Sequence, residues 1–239
     1  MPSKGITTKG ASPATDVAEG RFFLYGDREL DYLRSKDKRL AWAIDEIGHI
    51  DRSVNPDLFH SLVDSIIGQQ ISTAAHKTLR ERLASLTDQV TAESIVGLGR
   101  DGLQSIGMTY KKADYIMSLS DKVLSGELDL EGLNELSDEE VIAVLSELDG
   151  VGKWTAEMMM TFSMQRPDVV SYGDLAILRG MRMLYRHRKI DKAKFERYRK
   201  RYSPYGTVAS LYLWAIAGGA IDGLTDPAPK APSKKKGKR

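Results

Sequence analysis

Leu148-Asp149-Gly150-Val151-Gly152-Lys153-Trp154-Thr155-Ala156 sets two glycines either side of one apolar residue, at the junction of two helical patterns. Upstream, Ser137-Asp138-Glu139-Glu140 forms a capping box that opens the apolar series Val141, Ile142, Val144, Leu145 and Leu148. A second helix starts directly after Gly152. The spacing predicts that Gly150 and Gly152 both take backbone angles closed to other residues and leave bare backbone for a close partner. Val151 is expected to pack between the helices. The first N–H groups of the second helix lack intrahelical acceptors and lie at the positive end of its dipole, a ready seat for a phosphate. Gly-x-Gly alone is also what an ordinary glycine-capped turn looks like. The discrimination comes from the longer pattern of leucine, Gly-Val-Gly, a basic residue and Thr-Ala.

Helical signals dominate on both sides. Asp27 and Asp37 are candidate N-caps, the second opening a face of Leu40, Ala43, Ile44 and Ile47. Asn55-Pro56 reads as a cap followed by proline in the first turn, before Phe59, Leu62, Val63, Ile66 and Ile67. Further helices are expected from about Ser72 to Ala84, after Thr91, and over Tyr110–Leu124 following Gly107. Asp174 precedes Leu175, Ile177, Leu178, Met181 and Leu184, so it stands at a helix N-terminus, where an N-cap role is the plain explanation. Strand signals are confined to Phe22–Tyr25 and Asp168–Tyr172. The fold class is all-α, with about ten short helices.

Composition bounds the function. The 239 residues are 41% hydrophobic and 28% charged, as in ordinary globular proteins, and the net charge of +2 identifies no partner. Without cysteine, a thiolate zinc site or a cysteine-held iron–sulfur cluster is excluded. No apolar run approaches the roughly 18 residues of a membrane span, and residues 1–20 lack a signal peptide's apolar core, so an intracellular protein is expected. Residues 1–20 and 226–239 are expected to be disordered tails, the second basic and either simply solvated or a non-specific tether to phosphate. Between them, 21–225 should form one helical unit: 53–164 packed against a part made of 21–52 and 165–225.

The hairpin pattern resembles the helix-hairpin-helix motif of DNA repair proteins. With Asp174 opening a helix 20 residues after Trp154, the chain resembles the helix-hairpin-helix DNA glycosylase superfamily over most of residues 55–220. Ile66–Ser72 and Gly107–Ala113 look like further elements of that family. The alkylation-repair branch, of 3-methyladenine DNA glycosylase II type, is the closest match. Trp154 stands where bifunctional glycosylase/lyases carry a nucleophilic lysine, the cysteine ligands of the cluster-bearing branches are missing, and Trp214 stands where the alkylation branch has an aromatic pocket residue. There are two departures. Met158 occupies a position that is tyrosine in some relatives, and the chain ahead of residue 55 is too short for the extra N-terminal β-domain of some members.

The resemblance implies two helical subdomains with a cleft between them, acting as a monomer on double-stranded DNA that contains damaged bases. It implies Asp174 as the catalytic carboxylate and Trp154, Trp214, Met158 and Leu175 around the base. DNA would be held by Gly150, Val151, Gly152, Lys153, Thr155, Gln69, Gln70 and Lys112, with Gln70 as the wedge. No cofactor is required, and a sodium or potassium ion would sit on the main-chain carbonyls of Ser146, Leu148 and Val151. Bases alkylated at ring nitrogens carry positive charge and leave without a general acid. The enzyme would then supply base flipping, aromatic faces for a cationic ring, and a carboxylate beside the developing positive sugar. Two alternatives stay open at this level: a glycosylase for uracil, hypoxanthine or an oxidised purine, and a non-catalytic DNA-binding module.

Overall fold

A computed structural model describes residues 22–229. The tail expected over 1–20, and the basic run after residue 229, lie outside these residues. Among the described residues the chain forms eleven α-helices and one short 3-10 turn, with no strand. In order they are α1 (Asp27–Lys36), α2 (Lys38–Ile47), α3 (Leu58–Gly68), α4 (Thr73–Ala84), α5 (Ala92–Ser105), α6 (Tyr110–Leu124), the 3-10 turn (Gly132–Glu135), α7 (Asp138–Ser146), α8 (Lys153–Phe162), α9 (Leu175–Tyr185), α10 (Lys192–Tyr202) and α11 (Gly206–Gly218). None is long and apolar enough to cross a membrane.

Local capping chemistry starts most of them. Ser137 and Thr91 close capping boxes at α7 and α5, Thr109 caps α6, and Ser72 caps α4. Two expected starts move. Asp27 is the first helical residue of α1 rather than its cap, which is Gly26. Asn55 does not open α3. Its N–H is committed to the carbonyl oxygen of Phe162, its side chain accepts from Asp57 N–H, and Asp57 becomes the cap.

The two β-prone runs find no partner strand. Phe22 makes one isolated bridge to Ser53. Val169–Ser171 forms no regular element between turns at Asp168 and Tyr172, and side chains of α11 satisfy the backbone of Val169: Thr207 Oγ1 accepts from its N–H and Ser210 Oγ donates to its O.

Apolar burial falls into two clusters. One runs from Leu58 to Val169 and includes α3–α8; the other joins Phe23–Ile44 to Val170–Ile221. Phe162 and Trp214 pack against both, with ring centroids 5.4 Å apart, and so hinge the two halves together. In the second half α9 and α11 approach closely. A Cβ on Gly180 would lie 2.2 Å from Leu213 O, so glycine is required there. Asp37 ties α2 to α9 and α10: Oδ1 accepts the Arg39 and Leu40 amides, and Oδ2 accepts Tyr185 OH and Arg201, both at 2.9 Å. Burial among these groups raises the Tyr185 phenol well above its ordinary range.

The folded chain also runs past the expected boundary at residue 225. Arg182 Nε donates to Asp226 Oδ1 at 2.8 Å, and Asp226 in turn accepts from Ala228 N–H. The guanidinium beside it holds the Asp226 carboxyl below its usual range.

Candidate active site

The hairpin grows from the end of α7. Glu147 is the C-cap, and Val151 N–H donates to Leu148 O at 3.0 Å, closing a turn over Asp149 and Gly150. Gly150 has φ +79°, and a Cβ there would come within 2.6 Å of the Tyr115 ring, so both conformation and space demand glycine. Gly152 differs from expectation. Its φ of −101° and ψ of 175° are open to any residue, and a Cβ would meet nothing within 4 Å. The fold does not need glycine at 152; it leaves an uncovered approach to the N-terminus of α8. Among the described residues the N–H groups of Lys153, Trp154 and Thr155 have no acceptor. Val151 is buried between the helices as expected.

The carbonyls of Ser146 and Val151 accept no hydrogen bond among the described residues, and Leu148 O accepts one. Uncharged oxygens with free lone pairs suit a weakly charged hard cation, so the donor set fits the monovalent ion that the family resemblance implies.

Asp174 is the N-cap of α9 and 7% exposed. Its Oδ1 accepts the amides of Ala176 (2.8 Å) and Ile177 (2.9 Å), and its Oδ2 accepts the indole Nε1–H of Trp154 at 3.0 Å. Three donors thus orient the carboxylate and leave Oδ2 able to accept one more bond. Trp154 is the second residue of α8, so the helix that presents the free amides also carries the indole that holds the carboxylate. Trp154 as a residue is 48% exposed. Trp154 and Gly173 form part of the wall of a cleft of about 610 Å³, with Glu157, Tyr172 and Phe195. A larger cavity, about 830 Å³ between α3 and α4, contains neither Trp154 nor Asp174.

The other expected site residues divide. Met158 lies one turn beyond Trp154 on α8 and is buried. Trp214 is partly buried, and its ring partner is Phe162, one further turn along the same face of α8. No ring contact joins the two tryptophans among the described residues. Leu175 is 80% exposed, because as the first residue of α9 it lies about 200° around the helix from fully buried Ile177. Thr155 is 7% exposed, so it presents its backbone N–H rather than its side chain to a phosphate. Lys153 is exposed, with Nζ 3.9 Å from Glu157 Oε1.

Lys112 was expected on DNA, yet its Nζ donates to Ile67 O (2.8 Å) and Gln69 O (2.7 Å) and so caps the C-terminal end of α3. Burial lowers its pKa. Gln69 also turns inward, donating Nε2–H to Gly150 O at 2.7 Å. These bonds brace the α3–α4 loop against the hairpin and hold out Gln70, which is exposed with φ +57°. Exposed Lys111 lines the same groove, of about 420 Å³. Several cations between Arg179 and Arg201 are committed within the protein, Arg182 to Asp226, Arg201 to Asp37 and Lys192 to Glu196. Sequence reasoning passed over Glu157 and Ser171, whose buried side chains hydrogen-bond to one another beneath Asp174. A lone acid inside the apolar stretch of α8 was the available signal.

The family model for the HhH-GPD superfamily base excision DNA repair proteins matches residues 63–204, more than half of the chain. The chain belongs to this superfamily. It is 30% identical over 161 residues to DNA-3-methyladenine glycosylase 1 of Schizosaccharomyces pombe, covering 65% of this chain and 71% of that one. It spans 58% and 57% of two curated relatives from Bacillus subtilis. Among solved structures it is similar to a DNA-3-methyladenine glycosidase from Bacillus halodurans, with TM-score 0.75, 35% identity, and 83% and 93% of the two chains covered. It is also similar to the Schizosaccharomyces pombe 3-methyladenine DNA glycosylase in complex with abasic DNA, with TM-score 0.71, 26% identity, and 81% and 98% covered. The superfamily membership spans the hairpin and Asp174 alike.

Proposed function

We propose that this protein is a monofunctional DNA glycosylase of base excision repair that removes alkylated bases of the 3-methyladenine and 7-methylguanine type. The observation that carries the reading is the Trp154–Asp174 hydrogen bond. It places a tryptophan, not a lysine amine, against the carboxylate, which suits hydrolysis by water and gives no Schiff base. The alkylation-repair names of its relatives support the substrate class.

The free amides of Lys153, Trp154 and Thr155 bind a backbone phosphate, which positions DNA without reading its sequence. A monovalent cation on the Ser146, Leu148 and Val151 carbonyls would add positive charge beside that phosphate. Gln70, held out in a left-handed conformation, enters the duplex as the nucleotide flips, at a cost of a few kcal/mol. The exposed Trp154 face attracts an electron-poor cationic ring, worth about 0.5–2 kcal/mol. As the glycosidic bond breaks, the free lone pair of Asp174 Oδ2 faces the positive sugar and accepts a proton from the attacking water. The protein acts as a monomer on double-stranded DNA inside the cell.

An excision assay over a panel of methylated, deaminated and oxidised bases tests the reading. Release of N-methylated purines with no borohydride-trapped adduct is expected; a trapped adduct, or release confined to neutral lesions, would contradict it.

A further inference from the structure

Glu157 is 8% exposed and takes no part in the steps above. Its Oε2 accepts a hydrogen bond from Ser171 Oγ, which is itself fully buried. Ser171 O accepts the Asp174 N–H at 3.4 Å, and Gly173 between them lies against Trp154, where a Cβ would sit 3.8 Å from the Trp154 Cβ. One turn toward the hairpin, Trp154 Nε1 donates to Asp174 Oδ2. The loop 171–174 is therefore stitched to α8 twice: two side chains three residues apart on the helix meet two residues three apart on the loop.

We propose that Glu157 is a positioning residue for the glycosylase reaction, acting through Ser171 to hold the loop that carries Asp174. The N-cap bonds and the Trp154 bond hold the Asp174 end of the loop, while its Ser171 end is tied to α8 through Glu157. Glu157 lies about 4.5 Å further along the helix axis than Trp154. Because α8 also bears the phosphate-binding amides, the grip on DNA and the placement of the carboxylate share one rigid element. A displacement near 1 Å at a reacting group costs about 100-fold in rate.

The inference rests on the reading of Asp174 as the catalytic carboxylate, so Asp174→Asn is measured in parallel. Single-turnover excision of a methylated base, affinity for abasic DNA and Tm are compared for Glu157→Ala, Glu157→Gln and Ser171→Ala. Glu157→Ala and Ser171→Ala are expected to slow the chemical step about 10- to 100-fold with abasic-DNA affinity unchanged. Glu157→Gln keeps an oxygen acceptor for Ser171 and is expected to recover most of that loss. Ser171→Ala removes only a hydroxyl, so the test survives if Glu157→Ala fails to fold. Wild-type rates in both Glu157→Ala and Ser171→Ala beside an inactive Asp174→Asn would overturn the inference alone. So would Glu157→Gln being as slow as Glu157→Ala, which would mark charge as the contribution. An active Asp174→Asn would overturn the reading beneath it.

Discussion

Trp154 gives the site both an exposed ring and the single N–H that reaches Asp174 Oδ2. Trp154→Phe keeps an aromatic face and removes the donor. A hydrogen bond to a charged group contributes about 1.5–3 kcal/mol, so single-turnover excision should fall about 10- to 100-fold; an unchanged rate would mean that the indole serves only as a surface. The two hairpin glycines separate fold from binding. Gly150→Ala forces a Cβ into the Tyr115 ring at φ +79° and should lower Tm by several degrees. Gly152→Ala meets open space, so Tm should hold while affinity for abasic DNA drops, because the new methyl stands where phosphate approaches. Equal effects on Tm would contradict this division. The sequence located both glycines but not their difference, since a glycine's identity permits an angle without requiring it.

Among the elements, caps were legible because their chemistry is local. As caps, Ser137, Thr91 and Asp37 accept amides within three residues of themselves. Asn55 was misread because a contact outside its own segment, to Phe162 O, competes for its backbone. The capping role of Lys112 was not legible for the same reason, its acceptors lying 45 and 43 residues away. Lys112→Met leaves the Ile67 and Gln69 carbonyls without that donor, costing about 1–3 kcal/mol, or roughly 2–12 °C in Tm for a chain of this size. The salt dependence of DNA binding should stay the same, whereas loss of a phosphate contact would reduce the log–log slope by about 0.9. Titrating affinity against salt for both proteins separates capping from phosphate binding.

At the scale of the molecule, two apolar clusters meet through Phe162 and Trp214, and α8 crosses from the hairpin to that junction. The periodicity of the sequence showed helices and faces, and the family resemblance implied how they assemble. Neither showed the Asp37 network, which gathers residues from 37 to 202 around one buried carboxylate. Asp37→Ala removes the α2 cap and leaves Tyr185 OH short of a partner, so a loss of about 2–4 kcal/mol is expected, measured by denaturant unfolding. Excision at low temperature should be retained, since no part of this network touches Asp174. In the proposed reaction Asp174 performs the chemistry while the hairpin holds the DNA. The direct test is single-turnover excision of a methylated base by Asp174→Asn, with affinity for abasic DNA measured on the same preparation. Excision should be abolished and affinity largely kept; near-normal turnover by the variant would contradict the account.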